Sequence, residues 1–306
     1  MSAPGAPEPA QLALEELGPD ATAGDAVRRA ITASTLRLLG HEAGVRTRRE
    51  PEDVHQARVA TRRLRSDLRT FAPLLDREWL DGLRAELKWL GGELGPVRDA
   101  EVLRDRLVES ARSLLEIDRE SALAVVAPLA ADVRVARRRL LAAMRTRRYR
   151  DLLDRLVEAA RAPALLGTAS TPAVRSIPRL ARRPWRRLRS AAAAADERSP
   201  DEQLHDLRIR AKRSRYAAEA AAAVAGKQAT IFARAVAALQ DTLGELHDAV
   251  VAEAWLRRQA AGLDGGGQRF AAGELVALQR NAALEARGEW PAVWDRARAK
   301  DMRSWM

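Results

Sequence analysis

Two stretches of this 306-residue chain decide its fold: VHQARVATRRLR at 54–65 and LHDLRIRAKRSR at 204–215. They align at an offset of 150 residues, so that every basic position of the first meets a basic position of the second. A further pair, LGPVRDA from Leu94 and LGELHDA from Leu243, aligns at an offset of 149. Two segment pairs in the same order at nearly the same offset indicate a duplicated unit.

Helical spacing places the basic positions of each copy on one side of a helix, within roughly 80° at about 100° per residue. The two basic stripes are His55, Arg58, Arg62, Arg65 and Arg69, and His205, Arg208, Lys212 and Arg215. The apolar side of each helix is predicted to face the core through Ala57, Ala60, Leu64, Leu68 and Phe71, and through Leu207, Ala211 and Ala218. Each copy is therefore expected to have one buried and one cationic face.

None of the five positions of the first cationic stripe, from His55 to Arg69, is acidic. Like charges at these spacings destabilise an isolated helix by a few tenths of a kcal/mol per pair, about 0.2–0.5. The alternative is a solvated helix face whose charges form ion pairs. That alternative does not explain why the same basic stripe occurs twice. The pattern therefore favours a bound polyanion.

The rest of the chain predicts an all-α fold, because long amphipathic stretches rich in Ala, Leu, Arg and Glu dominate it. Four prolines, Pro163, Pro172, Pro178 and Pro184, are expected to prevent any continuous helix between the two halves. The predicted divisions are a disordered lead at 1–20, a first helical bundle at 21–162, a Pro-rich linker at 163–184 and a second bundle at 185–306.

The composition of the chain limits the classes of partner and of catalytic chemistry that are expected. Lys and Arg number 53 against 42 Asp and Glu, a formal charge of +11 that favours an anionic partner. There is no cysteine, hence no disulfide and no thiol nucleophile. The sequence shows neither a signal peptide nor a membrane span, so a cytoplasmic protein without a membrane partner is expected.

The second segment pair adds two basic residues, Arg98 and His247, which are candidate second-row anion contacts. Each follows a Leu-Gly break, and the neighbouring Asp99 and Asp248 either cap a helix or orient a neighbouring basic side chain; capping is the more economical interpretation. The histidines are expected to donate to phosphate rather than bind metal, since no HxxxH or HxxE pair accompanies them. A further row is treated as a surface face, and its participation is left open: Arg134, Arg137, Arg138, Arg145 and Arg148.

Two other classes of protein are less consistent with the sequence. A nucleic-acid-binding protein is the alternative, because a strongly basic helical protein binds DNA or RNA at low salt. However, aromatic residues make up only 4% of the chain, and the repeat helices contain only Phe71 and Tyr216. A phosphohydrolase or kinase is disfavoured, because there is no Walker-type loop or acidic metal cluster and Gly265 to Gly267 lack a following Lys-Ser/Thr.

The four segments quoted above closely resemble the CHAD domain, the histidine α-helical domain, over roughly residues 20–300. The resemblance implies two four-helix bundles related by a pseudo-two-fold axis, with a basic central groove that binds inorganic polyphosphate. The residues matching the basic positions of the family are His55, Arg58, Arg62, Arg63, Arg65, Arg98, His205, Arg208, Lys212, Arg213, Arg215 and Tyr216. Arg69 and His247 are added from the stripe and the second segment pair.

Two positions depart from the family pattern: Ser214 replaces a Leu, and His247 replaces a commoner Asn. Neither change removes a cation. CHAD domains are often joined to a CYTH-type triphosphatase, but no segment here has its strands. A stand-alone, non-catalytic polyphosphate-binding protein without cofactor or metal is expected, associated with polyphosphate granules. Its affinity should increase mildly below about pH 6.5 as the histidines become protonated. Chain-length preference and oligomeric state stay open.

Overall fold

The computed structural model describes residues 12–47 and 51–306, and within these ranges the only β-type pairing is two isolated bridges. The helices are α1 (Ala23–Thr47), α2 (Pro51–Thr70), α3 (Arg77–Ser113), α4 (Glu116–Val126), α5 (Leu129–Met144), α6 (Arg147–Arg161), α7 (Ala173–Ala193), α8 (Asp201–Ala225), α9 (Lys227–Ala260) and α10 (Gly266–Ala297). Short 3₁₀ turns lie at Ala72–Leu74, Gly167–Ser170 and Asp301–Arg303. The predicted all-α class is confirmed.

The duplication extends to the starts of three helices. α1, α2 and α3 begin at residues 23, 51 and 77, and α7, α8 and α9 begin 150 residues later, at 173, 201 and 227. Beyond the third helix the halves differ, because α4, α5 and α6 follow in the first half and the single long α10 in the second. The repeat thus relates α2 to α8, the helices that carry the cationic stripes.

Three hydrophobic clusters form the core. The first lies mainly among α1, α2, α3, α5 and α6, and also takes in the beginning of α7 and the end of α8. The second joins α7, α8, α9 and α10, and the third joins the second half of α3 with α4, α9 and α10. The apolar sides of both repeat helices are buried at every predicted position, which confirms the prediction that these sides face the core.

The expectation that four prolines prevent a helix is wrong for two of them. α7 runs from Ala173 to Ala193 across Pro178 and Pro184. Proline removes one backbone hydrogen bond, but α7 buries Ile177, Pro178 and Trp185 on one face, and this packing offsets the lost bond. Only residues 163–172 of the predicted linker precede the helix.

Residues 1–11, more than half of the predicted disordered lead, lie outside the described residues. Residues 12–20 contain no helix, yet Leu12 and Leu17 pack against the first core cluster. No helix in the described ranges combines the length and apolar character that a membrane span requires.

Candidate functional site

The candidate site begins where α2 and α8 approach each other with their cationic sides. Lys212 has Arg208 of its own helix as its strongest charged neighbour, followed by Arg62 and Arg58 of α2. Arg58, Arg62, Arg208 and Lys212 are all half-buried. We refer to these four residues as the central cationic cluster; each half of the repeat contributes two of them.

Most of the positive charge of the central cationic cluster is not paired with a carboxylate of the described residues. Arg58 donates from Nη2 to Asp99 Oδ1 at 2.8 Å. Arg62, Arg208 and Lys212 form no ion pair with any described carboxylate, and the Nε atoms of Arg62 and Arg208 are buried without a hydrogen-bond partner there. Buried donors in native proteins are nearly always satisfied, so these atoms indicate a place for an acceptor.

Burial and like charge change the acid-base behaviour of the cluster. Burial, reinforced by Arg208, Arg62 and Arg58, lowers the pKa of Lys212 to about 8. Burial also lowers the pKa of Arg62, with Arg58 adding to the effect. A bound anion would raise the pKa of both groups again, because it supplies the missing counter-charge.

The histidines flank the cluster at equivalent places. His55 lies near Arg98, and His205 lies beside His247, with 3.1 Å between their Nδ1 atoms. Burial, and then neighbouring positive groups, lower the pKa of His55 and His205, and burial together with His205 lowers the pKa of His247 to about 4. Protonation of these groups therefore requires a lower pH than the 6.5 expected from the sequence. Within the described ranges, no three His, Asp or Glu side chains gather as metal ligands would.

Arg63, Arg215 and Tyr216 lie at the crossing of the two helices, where carboxylates neutralise the arginines. Arg63 pairs with Glu219 across the crossing and with Asp67 on its own helix, and Arg215 donates to Glu219 at 2.6 Å. The guanidinium groups of Arg62, Arg63 and Arg215 lie within 5.8 Å of the Tyr216 ring centre. Tyr216 is 4% exposed, so it supports these arginines from the interior.

The remaining stripe residues spread away from the cluster. The Arg65 guanidinium lies against Gly91 of α3, with Arg84 as its charged neighbour. Arg69 and Arg213 are neighbours of each other in a separate cleft beside α7. Twelve of the fourteen predicted residues thus lie on α2 and α8, while Arg98 lies on α3 and His247 on α9. They divide among the central cationic cluster with its flanking histidines, the crossing of the two helices, the surface of α3 near Gly91 and the cleft beside α7.

The interpretation of Asp99 and Asp248 as helix caps is wrong. α3 and α9 run without interruption through both Leu-Gly pairs, so both aspartates lie within helices. Gly244 serves a different purpose: a Cβ atom there would lie 3.4 Å from Arg208 Nε, so the glycine allows the guanidinium to approach the helix backbone. Asp99 instead binds Arg58, and Arg208 is the strongest positive neighbour of Asp248.

Two further arginines lie near the site, and one of them, Arg106, was not singled out from the sequence. Arg106 pairs with Glu245 at 2.7 Å and is a positive neighbour of Asp248. Its spacing of seven residues from Asp99 would have placed it on the same side of α3. Arg137, from the row left open, pairs with the buried Glu101, which also contacts Arg98. Arg148 pairs with Glu86, while Arg134, Arg138 and Arg145 are exposed.

Comparison with known proteins gives a consistent result. The family model described as "CHAD domain" matches residues 29–257. Two uncharacterized proteins of Mycobacterium tuberculosis, from strains CDC 1551 and H37Rv, are each 32% identical to the chain over 282 residues. That alignment covers 88% of this chain and 52% of each relative, so the chain spans about half the length of the curated relatives it matches.

Two solved structures are similar over nearly the whole chain. PptA from Streptomyces chartreusis has a TM-score of 0.72 at 25% identity, covering 90% of this chain and 100% of that structure. The structure titled as the CHAD domain from the plant Ricinus communis has a TM-score of 0.72 at 26% identity, covering 94% of this chain and 96% of that structure. The family model and the Ricinus communis structure thus carry the same domain name.

Proposed function

Because the chain belongs to the CHAD domain family, some members of which bind polyphosphate, we propose that its central cationic cluster binds inorganic polyphosphate. The observation that carries the proposal is the set of cations without ion-pair partners among the described residues: Arg62, Arg208 and Lys212. Two helices related by the repeat supply them from both sides. A polymer with a negative charge on each unit satisfies several such cations at once.

The binding is electrostatic and releases counterions. Arginine forks donate to phosphate oxygens in bidentate fashion, and Lys212 provides a compact charge between them. Asp99 binds Arg58, and Asp248 lies near Arg208 without pairing with it, so both carboxylates compete with the anion for these arginines. His55, His205 and His247 donate from one ring nitrogen while neutral, so they contribute hydrogen bonds more than charge.

Competition binding tests the proposal against the nucleic-acid alternative. We expect long-chain polyphosphate to displace an equal charge concentration of duplex DNA at physiological salt, because the cations face each other across two adjacent helices and suit a thin chain. Equal or stronger binding of DNA would reject polyphosphate as the preferred ligand. Binding to polyphosphate would also bring the protein to polyphosphate granules, which co-localisation of a fluorescent fusion can check.

We also propose that the chain binds polyphosphate without hydrolysing it. The sequence contains no Walker-type loop, and the carboxylates that the described part of the chain brings to the central cationic cluster, Asp99 and Asp248, each lie near an arginine. We expect purified protein to leave polyphosphate and nucleoside triphosphates intact with Mg²⁺ or Mn²⁺ over hours. Phosphate release that is lost in an Arg62→Ala variant would contradict this prediction.

A further inference from the structure

A second cationic surface lies beside α7, away from the central cationic cluster. It is a cleft of about 350 Å³ between α2, α7 and α8. We call it the arginine cleft after the six arginines that line it: Arg69, Arg179, Arg183, Arg187, Arg210 and Arg213. Arg69 and Arg213 were predicted from the sequence to line the central groove, whereas the other four arginines carried no prediction.

The repeat provides an internal comparison for this cleft. A second cleft lies between α1, α2 and α8, and it includes Arg29, Arg37 and Arg63. These three residues precede Arg179, Arg187 and Arg213 by 150 positions, so the two clefts are equivalent places in the duplicated fold. We call this one the paired cleft, because its lining also contains carboxylates.

The two clefts differ in charge. In the paired cleft, Asp67 and Glu219 bind Arg63. In the arginine cleft, the positions equivalent to these acids are Ala217 and Arg69, and none of the described residues that line the space is acidic. Two further cations appear where the paired cleft has alanines, since Arg183 and Arg210 correspond to Ala33 and Ala60. The arginine cleft therefore has an arginine at the position equivalent to Glu219, an alanine at the position equivalent to Asp67, and arginines at two positions that are alanines in the paired cleft.

None of the six arginines forms an ion pair or a side-chain hydrogen bond with any residue in 12–47 or 51–306. Burial, and then mutual repulsion, lower the pKa of Arg69 and Arg213. Asp206 attracts Arg213 electrostatically, which raises the pKa of Arg213, but the two side chains form no ion pair. The repulsion among six positive charges that surround one cleft is unfavourable, and an anion bound in the cleft would offset it.

We propose that the arginine cleft binds a compact, multiply charged oligophosphate at a site separate from the central cationic cluster. Guanidinium groups from three helices surround the space and can each engage phosphate oxygens in bidentate fashion. Arg179, Arg183 and Arg187 are exposed on α7 and can close over a ligand without disturbing the core. The anion is either a free short oligophosphate or the end of a long chain. The cleft site does not depend on the function proposed for the central cationic cluster.

The test uses tripolyphosphate as the probe and isothermal titration as the measurement. It is made on the full chain carrying Arg58→Ala and Arg208→Ala, so that binding at the central cationic cluster is weakened. In this background we expect Arg179→Ala with Arg187→Ala to weaken tripolyphosphate binding at least tenfold. The matched control is Arg29→Ala with Arg37→Ala, which removes two arginines from equivalent places in the paired cleft and should change affinity less than twofold. Melting temperatures establish that all variants are folded.

Three results would overturn the proposal: no tripolyphosphate binding in the background variant, no effect of the arginine-cleft pair, or equal effects of the two pairs. The source of the anion is decided with long-chain polyphosphate and the same variants in the otherwise unaltered chain. A parallel loss there identifies the end of a long chain as the ligand, whereas a loss confined to tripolyphosphate identifies a free oligophosphate. A failure of the central cationic cluster to bind polyphosphate would leave the outcome for the arginine cleft unchanged.

Discussion

At the scale of single residues, Lys212 is the most informative member of the site. It is a lysine where the repeat has Arg62 in the first half, and its pKa is lowered to about 8. In the unfolded chain the group titrates at about 10.5, so the folded protein binds fewer protons between these values. The free energy of unfolding should therefore rise between pH 8 and pH 10.5, insofar as this group controls it.

The shifted pKa of Lys212 predicts how polyphosphate affinity depends on pH. Above about pH 8 the amine loses its proton in the free protein, so the affinity should fall severalfold between pH 7.5 and pH 9.5. Lys212→Arg should bind with a much flatter profile, because an arginine stays protonated over this range. Binding titrations at several pH values compare the two proteins, and superimposable profiles would contradict the assignment.

The close approach of Arg208 to α9 makes Gly244 a second test at this scale. Gly244→Ala should leave polyphosphate affinity within twofold and raise the free energy of unfolding by up to about 1 kcal/mol, because alanine favours helix. Gly244→Leu should displace the guanidinium and weaken binding severalfold, because the Cβ atom added at position 244 would itself lie 3.4 Å from Arg208 Nε and the rest of the leucine side chain would extend beyond it. Equal affinities for the two variants would show that the approach is unimportant.

At the scale of elements, α2 and α8 should contribute equally. Arg58→Ala with Arg62→Ala should weaken polyphosphate binding about as much as Arg208→Ala with Lys212→Ala. Each pair should flatten the slope of log K against log salt by about 1.4, the value for two contacts to a single-stranded polyanion. Stability should change little, because both apolar sides stay intact.

The control for this comparison is Arg134→Ala with Arg138→Ala, which removes two exposed charges from α5. It should lower affinity less than either pair in the repeat helices. If only one of the two repeat pairs matters, the second helix serves as a scaffold and the shared site is wrong.

The sequence was most informative for these elements and least informative for contacts between them. Helical periodicity and the repeat predicted the buried sides of α2 and α8 correctly, because both follow from local spacing. The neutralisation of Arg63 by Glu219, 156 residues away, could not be predicted from spacing. Gly95 and Gly244 were interpreted as breaks because glycine is a poor helix former, but packing keeps α3 and α9 continuous.

At the scale of the whole molecule, the two halves share a core. Ala173 and Ile177 of α7, with Ala220 and Ala221 of α8, belong to the same hydrophobic cluster as α1 and α2. We therefore expect a fragment ending at residue 172 to lose its cooperative thermal transition, and Ile177→Ala in the full chain to cost about 2–5 kcal/mol. Circular dichroism during heating measures both. A fragment that melts like the full chain would show that the first half is self-sufficient.

The lowered pKa of Lys212 also gives it an unusual chemical reactivity. At pH 8 about half of its amines are uncharged and nucleophilic, whereas a lysine with a pKa of about 10.4 is almost entirely protonated. Among the four lysine side chains of the protein, limited acylation at this pH should therefore modify Lys212 preferentially. A bound polyanion would return the proton and shield the nitrogen. Protection from labelling would thereby report occupancy of the central cationic cluster at a single atom.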